Sequence, residues 1–179
     1  YLNEHHIPIP SHRTPGSAPE KGSFCHPSFT GCPGSAARMI PRRPRDAYRQ
    51  QPGETASELR QWPVQLKLLN PEAHYFDNAD LLIAADCVPF ACANFHQDFL
   101  KDRIVIIFCP KLDADIEGYI TKLTEIFSLH EIRSITLLHM EVPCCSGVTY
   151  IIDQALKGPG KHIPVKEYTV LIDGGVVES

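Results

Sequence analysis

The chain has 179 residues, is 43% hydrophobic and 21% charged, and carries a formal net charge of -4, which suits one domain with a real core plus an extension. That charge balance excludes a broad electrostatic footprint for nucleic acid, and no apolar run approaches the roughly 20 residues of a membrane span. The chain begins at Tyr1 rather than Met and shows no signal peptide, which points to a fragment or processed product, with the cytoplasm as the default compartment.

Residues 1 to 58 form an arm rich in Pro, Gly, Ser and Arg. Nine prolines between Pro8 and Pro52 break any long helix or strand. Phe24, Cys25, Phe29, Cys32 and Met39 are unusual in a solvated linker, so the middle of the arm is expected to pack on the domain. The basic cluster Arg38, Arg42, Arg43, Arg45 and Arg49 reads as a solvated segment or as a local docking patch for an acidic partner.

From residue 59 to 179 the pattern is α/β. Val64 to Leu69 alternates like an edge strand. Pro71 to Asn78 is a short connection with one helical turn. Asp80 to Ala85 is a compact apolar strand, and Phe90 to Leu100 reads as a helix. Ile104 to Phe108 is a β-branched apolar run fit for a sheet centre. Asp115 to Leu129 is an amphipathic helix with apolar residues at three- and four-residue spacing, capped by Asp113 or Asp115. Ser134 to His139 is a strand and Ser146 to Leu156 a helix ended by Gly158, Pro159 and Gly160. Tyr168 to Ile172 is a last strand before Gly174-Gly175. Alternation of this kind requires right-handed crossovers and a mainly parallel sheet, giving a three-layer, Rossmann-like domain. Neither G-x-G-x-x-G nor G-x-x-x-x-G-K-[ST] is present, so a nucleotide site has fold-level support only.

The cysteines carry the chemistry. Cys87, Cys109 and Cys144-Cys145 each follow a strand-like run, and the carboxyl ends of parallel strands share the rim where ligands bind. Thiols from distant positions are thereby expected to converge, as a soft metal or an iron–sulfur cluster requires. Helix starts just beyond Cys87 and Cys145 favour thiolates. Cys32, in Gly31-Cys32-Pro33-Gly34-Ser35, is a further candidate ligand from the arm, and Cys25 a weaker one. The competing reading is that free cysteines pack as small hydrophobes, and this wins for Cys92. No C-x-x-C pair exists, which disfavours a zinc ribbon or thioredoxin motif. Asp86 and Asp113 read as helix caps or as acid–base groups. His96 reads as a satisfied polar residue; His139 and Glu141 lie near enough to the rim to support ligands or move protons.

The segments Gly31–Ser35, Leu59–Leu66, Ala84–Cys87, Phe95-His96, Cys109–Asp113 and Glu141–Cys145 together resemble a family of ferredoxin-domain iron–sulfur proteins of anaerobes. Members usually begin with a module carrying two C-x-x-C-x-x-C-x-x-x-C-P runs. This chain lacks that module and is similar to the region after it. The resemblance implies a cysteine-rich domain working with ferredoxin clusters. The Cys-Cys-Ser-Gly run also resembles the Cys-Cys-Gly signature of heterodisulfide reductase subunits.

The resulting expectation is a redox domain holding an iron–sulfur cluster, [4Fe-4S] in type, on Cys32, Cys87, Cys109, Cys144 and/or Cys145. Its partner would be a ferredoxin-like module or redox protein, with no nucleic acid and no membrane span. Zinc in place of a cluster, a thiol-dependent oxidoreductase using Cys144/Cys145, and a non-catalytic docking domain are the alternatives.

Overall fold

The computed structural model describes residues 35–41 and 56–179, and the apolar runs singled out above build its central sheet. Its strands are β1 (Arg38–Met39), β2 (Gln61–Trp62), β3 (Asp80–Ala85), β4 (Ile104–Phe108), β5 (Ser134–Met140), β6 (Val165–Val170) and β7 (Val176–Glu178). The main sheet has the order β4-β3-β5-β6-β7. β3, β4, β5 and β6 run parallel, and β7 turns back antiparallel on β6. Leu81, Leu82, Ile83 and Ala84 are fully buried because β3 is paired on both edges and covered on both faces.

The helices are α1 (Val88–Ala91), α2 (Ile116–Leu129) and α3 (Gly147–Leu156). α2 and α3 pack against each other. Right-handed crossovers put both on one face of the sheet and the 88–100 segment on the other. The aromatic contacts agree: Phe108 meets Tyr119 of α2, whereas Tyr168 meets Phe99 on the opposite side. Asp115 caps α2 by accepting the Gly118 N–H at 2.9 Å, and Asp113 instead accepts the Cys109 N–H at 2.9 Å.

Three expected elements differ. Residues 64 to 69 do not extend as a strand. Gln65 makes a single parallel bridge to Ile107, and Leu66–Leu68 then winds into a 3-10 turn. That turn buries Leu66 and Leu69 together, exposes Lys67 and Leu68, and hands three carbonyls to Lys122 Nζ at 2.9–3.3 Å. The expected helix over 90–100 is two pieces, α1 and a π-helical turn at His96–Leu100. A five-residue spacing lets Phe95 and Leu100 both reach the core. The last parallel strand begins three residues earlier than expected, at Val165, because its partner is Ile135.

The edge of β4 is covered by the β2 segment. The buried Gln61 side chain bonds the Val105 carbonyl and accepts its N–H, as a neighbouring strand would. β1 pairs antiparallel with β2, so the part of the arm at residues 35–41 adds to this side. Residues 1–34 and 42–55 of the arm, including Cys25, Cys32, Arg42, Arg43, Arg45 and Arg49, lie outside the described residues.

At the opposite end of α2, His130 is buried, with Nδ1 2.6 Å from Asp77 Oδ1 and Nε2 2.7 Å from the Pro71 carbonyl. The Asp77 carboxyl is held below its ordinary 3.8, first by the His130 hydrogen bond and further by that ring's charge, with burial opposing. A depressed folded-state value contributes stability above the unfolded value and loses it as pH falls through the folded one. The gap in urea midpoint between wild type and Asp77→Asn is therefore expected to close as pH drops from about 6 to about 3. A gap of equal size at both ends would refute the linkage.

Candidate functional site

The order β4-β3-β5 makes the carboxyl end of β3 the point where the chain diverges to both sides, the crevice in which open α/β sheets bind ligands. The turns that follow these three strands carry Cys109, Cys87 and Cys144-Cys145 respectively. Cys87 opens α1 and is exposed; Cys109 is half-buried at the tip of β4; Cys144 and Cys145 share the 3-10 turn Pro143–Cys145. The three turns lie at the carboxyl ends of neighbouring parallel strands, as expected from the sequence.

The turns also touch. Gly147, the first residue of α3, lies so close to Pro110 that a Cβ on it would stand 2.9 Å from the proline Cβ. The turn after β4 and the turn after β5 therefore meet at the end of β3. Sequence reading missed this contact; the glycine directly after the Cys-Cys-Ser run is its only local signal.

Cys144 and Cys145 are not equivalent. Cys144 is exposed and Cys145 is 4% exposed. The expectation that a helix start lowers both thiol pKa values fails at Cys145: burial raises it, against a partial offset from the Met140 amide, and Cys144 and Cys87 add to the rise. Cys92 is buried at the carboxyl end of α1, and burial raises its pKa too, in line with a packing role.

Carboxylates line the β4 side of the rim. Asp86 does not cap α1, contrary to the preferred sequence reading; it accepts a 3.2 Å hydrogen bond from Gln65 Nε2. Burial raises its pKa, and Asp113 pushes it further. Tyr119, raised to about 12 by burial and by the neighbouring aspartates, hydrogen-bonds Asp113. His139 is tied to Glu167 at 2.8 Å, and Thr149 bonds the same oxygen at 2.9 Å. This network runs between β5, β6 and α3, so His139 supports the sheet rather than the thiols. Glu141 accepts the Ile172 N–H at 2.8 Å, and His96 accepts the Glu58 N–H at 3.1 Å. Exposed apolar side chains also stand beyond the strand ends: Phe90 of α1 at 91%, Leu112 at 81% and Ile172 at 69%.

Among the described residues, no three His, Cys, Asp or Glu side chains are grouped to hold a metal ion, and no helix is long and apolar enough to cross a membrane. A half-open cavity of about 320 Å³, lined by Ala56, Ser57, Ala93, Asn94, His96 and Gln97, holds none of the cysteines.

Comparison with known proteins agrees with the architecture. A family model described as a Rossmann-like domain matches residues 73–179. An uncharacterized protein of Archaeoglobus fulgidus is 30% identical over 119 residues, 66% of this chain and 83% of the relative. No solved structure matches at a significant level.

Proposed function

Because the chain belongs to the Rossmann-like domain family, whose sheets bind ligands where the strand order diverges, we propose that its carboxyl rim is a thiolate site for an iron–sulfur cluster. The proposed ligands are Cys87, Cys109 and Cys144, with Cys32 as the fourth. The observation that carries this reading is the contact between the turns after β4 and β5, each bearing a thiol, at the carboxyl end of β3, whose own turn bears Cys87.

The donor set suits the group. Cys87 and Cys144 are exposed on turns, where rotation about χ1 rather than movement of the backbone directs each sulfur. A set rich in thiolates selects iron–sulfur clusters or zinc over harder ions. Cys32 enters the set on the sequence alone, since it lies outside the described residues. Bound there, the cluster would supply one-electron transfer, to a ferredoxin-like module or another redox protein. The half-buried carboxyl of Asp86 and the Tyr119–Asp113 pair would hold the turn bearing Cys109 in shape.

The test is iron and acid-labile sulfide per chain after anaerobic reconstitution. Wild type is expected to bind both, and Cys109→Ser to lose most of each. Wild-type protein free of iron after reconstitution would sink the proposal, and zinc in its place would redirect it to a metal site without redox chemistry. The place of Cys144 and Cys145 side by side in one 3-10 turn favours one second reading, a dithiol oxidoreductase. Fast alkylation of Cys144 in the reconstituted protein would select it, because ligated thiolates are protected.

A further inference from the structure

The two ends of the parallel sheet treat charge differently. At the amino end, Asp77, Asp80 and Glu131 each meet a basic side chain, from His130, Arg133 and Lys161 respectively. At the carboxyl end every connection brings a carboxylate that bonds an N–H instead. Asp86 follows β3 and takes an N–H of Gln65. Asp113 and Asp115 follow β4 and take the amides of Cys109 and Gly118. Glu141 follows β5 and takes the amide of Ile172, and Asp173 follows β6 and takes the amide of Gly175. These bonds fix the carboxyl groups without removing their charge. Among the described residues none of the five has an ion-pair partner, and Lys111 is the one lysine or arginine on these turns.

The same connections carry the exposed apolar side chains: Phe90 on α1 after β3, Leu112 after β4 and Ile172 after β6. Their backbone is braced. Gly147 stands against Pro110, and a Cβ on Gly174 would lie 3.0 Å from the Ala91 carbonyl, which ties the turn after β6 to the end of α1 beside Phe90. Apolar groups held on a braced frame lose little freedom on contact, and exposed aromatic and aliphatic anchors mark interaction sites. We infer that the carboxyl rim docks a protein partner whose contact face is apolar at its centre and ringed by lysine and arginine. Uncompensated carboxylates steer such a face and fix its orientation. The same charges repel nucleic acid and anionic lipid surfaces. A second copy docked rim to rim would set like charges against each other. This inference shares its rim with the thiolate reading above and rests on that reading only for the partner's redox role; the docking itself needs no iron.

The probe is a fluorescently labelled synthetic helix with leucines on one face and lysines around them; its control carries glutamate in place of every lysine. Titrated with the full chain at low salt, the lysine helix is expected to bind and the glutamate helix not to. Raising the salt from about 50 to about 300 mM is expected to weaken binding at least about tenfold, because exposed charges are screened. Phe90→Ser combined with Leu112→Ser is expected to weaken it about tenfold or more, as loss of central anchors does, with the urea midpoint of wild type. Asp115→Asn with Asp173→Asn keeps both amide acceptors, and is expected to flatten the salt dependence. Equal binding of the two helices, or full affinity in the Phe90 and Leu112 variant, would overturn the docking face. A lowered urea midpoint in that variant would overturn it too, by showing the rim covered by the chain's own arm. Self-association of the wild type that this variant abolishes would do the same, by showing a second copy there. Binding by protein that takes up no iron on reconstitution would sink the cluster and uphold the docking face.

Discussion

Phe108→Ala is expected to lower the unfolding free energy by about 3–5 kcal/mol, the range for deleting a fully buried phenyl ring. Phe108 ends β4, has no exposed surface, and meets Tyr119 edge to face with ring centroids 5.6 Å apart. Such a pair adds to the burial of its area. The loss extends beyond the cavity. The Phe108 carbonyl accepts the Asp86 N–H at 3.3 Å, and Tyr119 hydrogen-bonds Asp113, which in turn holds the Cys109 N–H. The ring therefore lies beneath the turns bearing Cys87 and Cys109. Urea unfolding with an unchanged slope and a midpoint shifted by that amount is the expected result, and a loss under about 1 kcal/mol would show that the site collapses around the gap.

Gly147→Val tests the contact between the turns after β4 and β5 directly. The proline ring at Pro110 is rigid, so a side chain at Gly147 cannot be relieved by rotating a flexible neighbour. Valine is expected to cost about 1–3 kcal/mol through overpacking, partly offset by the better helix propensity of any residue over glycine. The larger effect is on the site. If the rim holds the proposed cluster, separating the turn after β4 from the turn after β5 would weaken iron retention at least about tenfold, as losses of supporting groups around metal sites do. Adding Pro110→Ala should recover much of both losses, since neighbouring substitutions that relieve one clash are non-additive. No recovery would mean that the two turns are held by something other than this contact.

The parts of the fold legible in the sequence are those in which one periodicity dominates. β3 and β4 are apolar throughout because each is buried, and α2 shows a clear helical stripe with its cap at Asp115. β6 was harder to place: Lys166 and Glu167 interrupt its apolar signal because the strand is largely exposed near the sheet edge. Residues 64 to 69 mislead for another reason. Apolar residues at 64, 66 and 69 fit an alternating strand over their first half and a three-residue turn over their second, and the edge of β4 has room for only one bridge. At the site, the rim location of Cys87, Cys109 and Cys144 follows from strand ends alone. The burial of Cys145 does not, because which of two adjacent residues faces the crevice depends on the turn, and the turn is set by packing between strands far apart in sequence.

Strand β3 pairs with one neighbour that follows it by about two dozen residues and another that follows it by more than fifty. Loop closure must precede both ladders, which makes this centre slow to nucleate from local contacts. No fragment shorter than the span from β3 to α3 can present all three thiol-bearing turns together. Occupancy of the crevice is consequently linked to cooperative unfolding of the whole layer, and a ligand held at a hundred times its dissociation constant would add about 2.7 kcal/mol to that global transition instead of stiffening one loop.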